Sequence, residues 1–346
     1  MRIKKEPYGK LQNGEKVDLF TLKNDNGMIC KITNYGGIIT NLMLPEKDGE
    51  IDVVLGKKSL EDYLASNNPY FGALTGRVAG RIIDAQFTLE GSNYYLDAND
   101  GKHCLHGGKN AWDKQLWNAS ITKDSGVDKL QLTYLDKDGK NNFPGNVECT
   151  VTYGLTGDNS LEITYKASSD KDTPFNPTNH SYFNLSGENS GTILNNEVQI
   201  IADEIAEASG DMTLTGNKMP VIPGLNDLRE PIRIGNLCEL SHRNIDTHYF
   251  LKGGRTKNPR FVGKVYDPTS KRTLELHTTE PGVQFYGAMN LSKDADEIGK
   301  NGNIYPVYGA FCLETQDYPN SINQPLGTAI LKANQTFRSK TLFKFK

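Results

Sequence analysis

The sequence lacks the features that mark several large classes of proteins. No stretch approaches 18 consecutive apolar residues, and no apolar segment long enough for a signal peptide follows the early lysines Lys4 and Lys5. The formal net charge is −3 and charged residues make up 23% of the chain, so no basic surplus is present to neutralise a phosphate backbone. We therefore expect a soluble, cytoplasmic protein that binds neither membranes nor nucleic acids.

Cysteine is also scarce, and its distribution argues against two kinds of cross-link. The five cysteines are odd in number, lie far apart and form no C-x-x-C pair, unlike a disulfide framework or a cysteine zinc site. His103 and His106 flank Cys104, but no second pair of ligands with zinc-like spacing follows them. We expect reduced thiols and no bound metal.

Helical spacing is rare, whereas alternation of apolar and polar residues recurs along the chain. Apolar residues occupy the odd positions of Val147–Leu155, and a second alternating run at 161–165 follows the turn-forming residues 156–160. This pattern predicts a β-hairpin, and the spacing after Ser59 predicts one short helix. Because the 346 residues contain no linker or repeat, we predict one large all-β sandwich, with two domains as the alternative.

Two stretches place a proton-transferring side chain among suitable neighbours. His180 lies in residues 176–185, which are rich in hydrogen-bonding side chains, although these could simply satisfy a turn. Glu314 follows an apolar run, and partial burial would raise its pKa and make it a better base than a solvated glutamate. The alternative is a glutamate at a strand end in water. Gln284 alternates with apolar neighbours and so faces away from them.

Charged residues elsewhere are ambiguous when they are considered singly. Arg77 and Arg81 occur in the run GRVAGRI at residues 76–82, and Asp246 occurs in the run IDTH. Each could contact a ligand or form an ion pair at the edge of the core.

The remaining histidines differ in their surroundings. His106 precedes Gly107 and Gly108, which indicates a tight loop that holds an imidazole where a ligand approaches the backbone. His242 and His277 have polar neighbours and no convincing partner, so we interpret them as surface or strand-edge residues.

Four stretches, in this order along the chain, resemble motifs of the aldose 1-epimerase (galactose mutarotase) family. They are residues 76–82 (GRVAGRI), 105–108 (LHGG), 179–185 (NHSYFNL) and 313–316 (LETQ). Asp246 and residues 281–286 (PGVQFY) are also in place, and the resemblance runs from residues 16–18 to the last strands. It implies a large antiparallel β-supersandwich of the galactose mutarotase type, formed as a single domain by residues 1–346.

The resemblance also implies roles for particular residues. Glu314 matches the general base of the family and His180 its general acid. The predicted substrate-binding set comprises Gly80, Arg81, His106, His180, Tyr182, Asp246, Gln284 and Glu314. Tyr182 and Phe285 could pack on a sugar face, with core packing as the alternative.

Two departures from the family pattern are present. Gly80 stands where the family usually has asparagine, and Asn320 follows Pro319 where the family usually has aspartate. The first departure removes one possible sugar contact. The hydroxyl preference is therefore left open.

A mutarotase of this family would interconvert the α and β anomers of a free hexose such as D-galactose or D-glucose. Glu314 would take the proton of the anomeric hydroxyl and His180 would protonate the ring oxygen, without a metal or other cofactor. This mechanism requires a protonated histidine and an ionised glutamate together, so we expect a bell-shaped pH profile.

Three other functions remain open from the sequence. A glycoside hydrolase would pair Asp246 with Glu314, whereas a carbohydrate-binding module would have no need of the acid–base pair. A sugar-phosphate epimerase would require additional arginines or lysines. The preferred aldose is left open, as is the choice between a monomer and a homodimer.

Overall fold

Strands dominate the fold. The computed structural model describes residues 2–65, 69–124, 126–209, 213–241, 244–291, 299–324 and 329–346. In chain order the strands of these residues are β1 (Arg2–Lys10), β2 (Lys16–Lys23), β3 (Ile29–Thr33), β4 (Ile39–Glu46), β5 (Gly49–Asp52), β6 (Ala73–Thr75), β7 (Arg81–Ile82), β8 (Gln86–Leu89), β9 (Ser92–Tyr95), β10 (Cys104–Leu105), β11 (Asn118–Asp124), β12 (Val127–Asp136), β13 (Val147–Leu155), β14 (Ser160–Ser169), β15 (Thr173–Pro174), β16 (Thr178–His180), β17 (Glu197–Ile200), β18 (Ala202–Ala208), β19 (Leu214–Pro220), β20 (Ile232–Arg233), β21 (Asp246–Leu251), β22 (Arg260–Tyr266), β23 (Thr273–Thr278), β24 (Gly282–Tyr286), β25 (Cys312–Gln316), β26 (Ile330–Leu331) and β27 (Thr336–Phe345).

Helices are few and short. The α-helices of the described residues are α1 (Leu60–Ala65) and α2 (Ile234–Leu240). Single 3₁₀ turns occupy Ile83–Ala85, Trp112–Lys114, Lys140–Asn142 and Ser321–Asn323. Among the helices that the structure describes, none has the length and apolar character needed to cross a membrane.

Three sheets contain most of the strands, and the prediction of an all-β antiparallel fold is confirmed. The N-terminal sheet has the order β1-β2-β3-β4-β5, and the nine-stranded sheet has the order β11-β12-β13-β14-β27-β23-β22-β17-β20. A third sheet, here called the cavity sheet, has the order β19-β18-β21-β24-β25. Neighbouring strands in all three sheets are antiparallel.

The local predictions of a hairpin and a helix are both confirmed. β13 and β14 pair from Val147 opposite Ser169 to Leu155 opposite Leu161, with the turn between them. The helix α1 begins after Ser59, whose hydroxyl oxygen accepts a hydrogen bond of 3.3 Å from the backbone N–H of Asp62. The helix α2 was not predicted, and it has no side-chain cap that would have indicated its start.

The main hydrophobic core joins the inward faces of the three sheets. Leu22 of the N-terminal sheet, Val151 of the nine-stranded sheet and Val283 of the cavity sheet all belong to it and are fully buried. Burying one such side chain contributes about 1.5–3 kcal/mol. On the cavity sheet, Phe285 and Leu313 face this core, so the alternate residues of β24 and β25 face the other way. All five cysteines are buried and free.

Candidate active site

A cavity of about 190 Å³ lies over the face of the cavity sheet that points away from the core. It is lined by Pro69, Tyr70, Gly80, Arg81, Leu105, His106, His180, Tyr182, Leu214, Asp246, Gln284, Tyr286, Asn290, Glu314, Gln316 and Pro319. All eight residues of the predicted substrate-binding set are among them. The fold thus brings together residues that lie as far apart in sequence as Gly80 and Glu314.

Strand alternation places three of the polar residues on one face of the cavity sheet. Gln284 on β24 lies opposite Glu314 on β25, and Asp246 on β21 lies opposite Tyr286 on β24. The side-chain amide of Gln284 donates a hydrogen bond of 2.6 Å to Asp246 Oδ1. These side chains are held by strands whose other face is in the core, so their positions are set by the fold rather than by a loop.

His180 meets Glu314 because β16 is fastened to β25. The Thr178 hydroxyl donates a hydrogen bond of 3.0 Å to the backbone carbonyl of Thr315. Nε2 of His180 then lies 3.5 Å from Oε1 of Glu314, with side chains only 6% and 5% exposed. The ring of Tyr182 stacks on His180 with centroids 4.9 Å apart.

The polar side chains around His180 mostly satisfy backbone groups. The Asn176 amide donates to the Asp317 carbonyl at 2.9 Å and accepts from its N–H at 2.8 Å. The Asn179 and Asn184 amides likewise donate to backbone carbonyls. The turn-satisfying interpretation of this stretch therefore holds for the asparagines, whereas His180 and Tyr182 line the cavity.

Burial sets the protonation of the His180–Glu314 pair. Burial lowers the pKa of His180 to about 4. Burial also raises the pKa of Glu314 well above its usual value, with the nearby Asp246 acting in the same direction and Arg81 opposing it. When the pair holds one proton, that proton therefore resides mainly on Glu314. A protonated His180 beside an ionised Glu314, as the sequence analysis expected, is the less populated arrangement because a buried site disfavours both charges.

His106 lies on the tight loop predicted from the two glycines that follow it. A Cβ atom at Gly107 would lie 1.5 Å from the carbonyl oxygen of Gly76, so only glycine fits there. The backbone N–H of Gly80 donates a hydrogen bond of 3.2 Å to His106 Nδ1. In the neutral imidazole this leaves the proton on Nε2, which makes His106 a hydrogen-bond donor.

Two arginines of the GRVAGRI run have different roles. Arg77 is 1% exposed, forms an ion pair of 3.1 Å with Asp136 and donates to the Pro144 carbonyl and the Thr173 hydroxyl. Arg77 therefore forms an ion pair, which was the alternative to a ligand contact for this residue. Arg81 instead lines the cavity, with its Nε bound to Asp100 Oδ2 at 2.6 Å.

Gly80 forms part of the cavity wall but offers no side chain. Its φ is +72°, and a Cβ atom there would lie 2.7 Å from the Cβ atom of Pro319. Its N–H and carbonyl both form hydrogen bonds with His106. Gly80 therefore positions His106, and the two departures from the family pattern, at residues 80 and 320, adjoin each other through Pro319.

Other candidates from the sequence lie outside the cavity. His103 accepts a hydrogen bond of 3.1 Å from the Asp84 backbone, and His277 lies on β23 beside Glu275. Phe285 is fully buried in the core. His242 lies outside the described residues. The Tyr182 hydroxyl donates to the Pro69 carbonyl at 2.8 Å, so the ring rather than the hydroxyl supports His180.

Sequence reasoning missed several residues that line the cavity. Tyr286 and Gln316 follow Gln284 and Glu314 by two positions, so strand alternation would have found both. Tyr70 and Asn290 lie outside the strands, where no periodic signal exists. The ring of Tyr70 contacts the edge of His106 with centroids 4.6 Å apart.

Ligand atoms of His106, His180 and Glu314 all lie within 4.8 Å of one another, a spacing that could hold a metal ion. A histidine that binds a metal through Nε2 carries its proton on Nδ1. Nδ1 of His106 instead accepts a hydrogen bond from Gly80. The tautomer therefore favours contact with a hydroxyl oxygen over contact with a metal.

A buried histidine–glutamate pair in a polar cavity of an all-β fold is the arrangement expected of an acid–base enzyme. The sequence matches the profile of the aldose 1-epimerase family over residues 18–344. It is 38% identical to the galactose mutarotase of Sus scrofa, over 99% of this chain and 98% of that protein. The chain belongs to the aldose 1-epimerase family and hence to the mutarotases.

Solved structures share the fold. A galactose 1-epimerase from Lactobacillus acidophilus has a TM-score of 0.85 and 28% identity, covering 100% of this chain and 98% of that one. An aldose epimerase homologue from C. elegans has a TM-score of 0.86 and 23% identity, covering 95% of this chain and 98% of that one. The predicted galactose mutarotase type of fold is confirmed.

Proposed function

We propose that this enzyme interconverts the α and β anomers of a free hexose, with D-galactose and D-glucose as substrates. The observation that carries the proposal is the separation of 3.5 Å between His180 Nε2 and Glu314 Oε1 inside the polar cavity. The two oxygens that exchange protons in a cyclic hemiacetal are bonded to the same carbon. An acid and a base must therefore lie close together to reach both.

Glu314 and His180 carry the proposed proton transfers. Ionised Glu314 accepts the proton of the O1 hydroxyl while protonated His180 donates a proton to O5, and the C1–O5 bond breaks. The product is an open-chain aldehyde with a hydroxyl group at C5. Glu314 now carries the proton taken from O1, and His180, having given its proton to O5, is neutral. Rotation about C1–C2 followed by the reverse transfers closes the ring as the other anomer, so the enzyme is restored.

The protonation of the cavity supports this cycle. The reactive pair holds one proton in total, whether that proton resides on Glu314 or on His180. The lowered pKa of His180, about 4, and the raised pKa of Glu314 set the acid and alkaline limits of the pH range in which the pair holds one proton. Activity therefore falls on the acid side as the pair gains a second proton, and on the alkaline side as it loses its only one.

Four further residues supply the proposed sugar contacts. His106 offers an Nε2 proton, and the Arg81 guanidinium offers donors to the hydroxyls. Asp246 presents the acceptors, and the Gln284 amide, which donates a hydrogen bond of 2.6 Å to Asp246 Oδ1, keeps its second N–H as a donor for the sugar. A hexose satisfies such buried polar groups, whereas an apolar ligand would leave them unpaired at about 1–3 kcal/mol each.

The surroundings of the pair support a free sugar over the alternatives. Of the residues described around the cavity, Arg81 is the single one with a permanently charged cationic side chain, which suits hydroxyls better than a phosphate group. Asp246 accepts a hydrogen bond from Gln284, and Glu314 lies 3.5 Å from His180, so the two carboxylates have different partners. We further propose a cytoplasmic enzyme, supported by its five free buried cysteines, that is a monomer or a homodimer and forms a single domain.

Polarimetry of freshly dissolved α-D-galactose and α-D-glucose tests the function. The wild-type protein is expected to accelerate the change in optical rotation of both sugars, and to leave a 4-nitrophenyl galactoside uncleaved. A protein that accelerates neither sugar is not a mutarotase of these hexoses. Release of 4-nitrophenol with an unchanged mutarotation rate would instead identify a glycosidase.

A further inference from the structure

His248 lies on the same row of the cavity sheet as the proposed base. It is on β21 opposite Gln284 on β24, and Gln284 is in turn opposite Glu314 on β25. Asp246 precedes His248 by two positions, so both side chains point to the same face. His248 is not among the residues that line the cavity. It is therefore placed to act on the sugar site through Gln284.

The imidazole of His248 is buried without a hydrogen-bond partner at either ring nitrogen in the described structure. The side-chain carbonyl of Gln284 is buried and unpartnered as well. The Gln284 amide nitrogen is bound to Asp246, so its carbonyl oxygen points away from Asp246. An unsatisfied donor and an unsatisfied acceptor thus lie on adjacent strands, where one hydrogen bond would satisfy both.

The fold confines the imidazole in this position. A Cβ atom at Gly282 would lie 2.4 Å from His248 Nε2, so glycine makes the room that the ring occupies. The rings of Phe250 and Tyr318 meet it edge to face, with centroids 5.2 and 5.8 Å away. Burial lowers the pKa of His248 to about 3, with the Gln284 side chain opposing this effect. The ring is therefore neutral and carries one N–H donor.

We propose that His248 is a positioning residue, whose ring N–H donates to the Gln284 side-chain carbonyl and so directs the Gln284 amide to Asp246. The chain from His248 through Gln284 to Asp246 orders the Asp246 carboxylate, which accepts hydrogen bonds from the sugar hydroxyls. This inference rests on the proposed function for its effect on the sugar. The hydrogen bond itself does not depend on that function.

Steady-state mutarotation by His248→Phe, His248→Asn and His248→Gln tests the role. Loss of the donor in His248→Phe is expected to raise KM about 3- to 10-fold with a smaller change in kcat. One of the two amide variants, which keep an N–H donor, is expected to restore KM to within about threefold of wild type. His277→Phe, which alters a histidine outside the cavity, serves as the matched control. A wild-type KM in His248→Phe would overturn the proposal.

A double-mutant cycle with Gln284→Leu separates positioning from mere packing. If His248 acts through Gln284, adding His248→Phe to Gln284→Leu raises KM no further. Effects on KM that multiply would show that His248 acts independently of Gln284 and would refute the inference.

NMR of the 15N-histidine-labelled wild-type protein needs neither turnover nor a His248 variant. A neutral imidazole with one exchange-protected, downfield ring proton is expected for His248, and Gln284→Leu should remove the protection and the downfield shift. This readout holds even if the protein fails to accelerate mutarotation, so it distinguishes failure of the inference from failure of the proposed function. A His248 ring proton unaffected by Gln284→Leu would overturn the inference.

Discussion

Two histidine–glutamate pairs of this molecule have nearly the same geometry and different surroundings. His180 and Glu314 lie 3.5 Å apart with side chains 6% and 5% exposed, whereas His277 and Glu275 lie 3.6 Å apart with side chains 29% and 19% exposed. The first pair is in the cavity and the second is on β23 of the nine-stranded sheet. Distance alone therefore does not identify an acid–base pair.

The difference lies in what surrounds each carboxylate. Burial and the nearby Asp246 raise the pKa of Glu314. Partial burial acts in the same direction on Glu275, but the Lys346 ammonium and His277 outweigh it, so its pKa is lowered. Glu314 thus keeps its proton to a higher pH than an ordinary carboxyl group, whereas Glu275 stays an ionised partner of a lysine.

Substituting the members of the two pairs should give the largest difference in kcat. Glu314→Gln is expected to lower kcat about 10²- to 10⁴-fold because it deletes the general base, and His180→Asn is expected to act similarly on the acid. Glu275→Gln and His277→Asn are the matched controls at the same separation. Polarimetric kcat values check the result. Equal losses in both pairs, or full activity of both cavity variants, would contradict the assignment.

The stability of His180→Asn at acid pH reports on the burial of the His180 imidazole. The folded pKa of His180, about 4, is below the value of about 6.5 for the unfolded chain, so the unfolded state binds the proton more tightly. The wild-type protein thus loses stability through this group as pH falls from 6.5 to 4. His180→Asn has no imidazole and does not undergo this loss. As pH falls over this range, the free energy of unfolding of His180→Asn should therefore rise by about 3 kcal/mol relative to that of the wild-type protein.

Urea unfolding at a series of pH values measures this difference. Glu314→Gln should show the opposite trend. The raised pKa of Glu314 makes the wild-type protein lose stability as pH rises above the pKa of the unfolded chain, so the free energy of unfolding of Glu314→Gln should rise relative to wild type as pH rises. A constant difference between His180→Asn and wild type from pH 7 to pH 4 would show that His180 is not buried as a neutral group.

The smallest effect is expected from the cavity wall. Gly80→Ala and Gly253→Ala both place a side chain at positive φ, at about 1 kcal/mol each. At Gly80 the new Cβ atom would also meet Pro319 at 2.7 Å, whereas at Gly253 the nearest atom is 3.9 Å away. Gly80→Ala should therefore lose about 1–2 kcal/mol more stability than Gly253→Ala, and it alone should raise KM by displacing His106.

Thermal unfolding and KM for galactose measure the two consequences. An unchanged KM in Gly80→Ala would contradict the prediction and show that the cavity tolerates a side chain at this position.

Much of the fold was predictable because alternation is a local property. The hairpin of β13 and β14 and the orientation of Gln284 and Glu314 follow from the period of two along a strand. The helix α2 was missed because it lacks a capping side chain at its start. Tyr70 was missed because no periodic pattern orients a side chain outside a strand or helix.

The strand pattern, the ordered motifs and the eight candidate residues of the site follow from the sequence. Arg77 and Arg81 were equivalent when each was considered singly, and the family resemblance assigned only Arg81 to the substrate. The tertiary structure added that Arg77 forms a buried ion pair while Arg81 lines the cavity, and it alone revealed the proton balance of His180 and Glu314. The physical reason is that burial and electrostatic coupling depend on neighbours from distant parts of the chain, whereas a strand's two faces depend only on the residues within it.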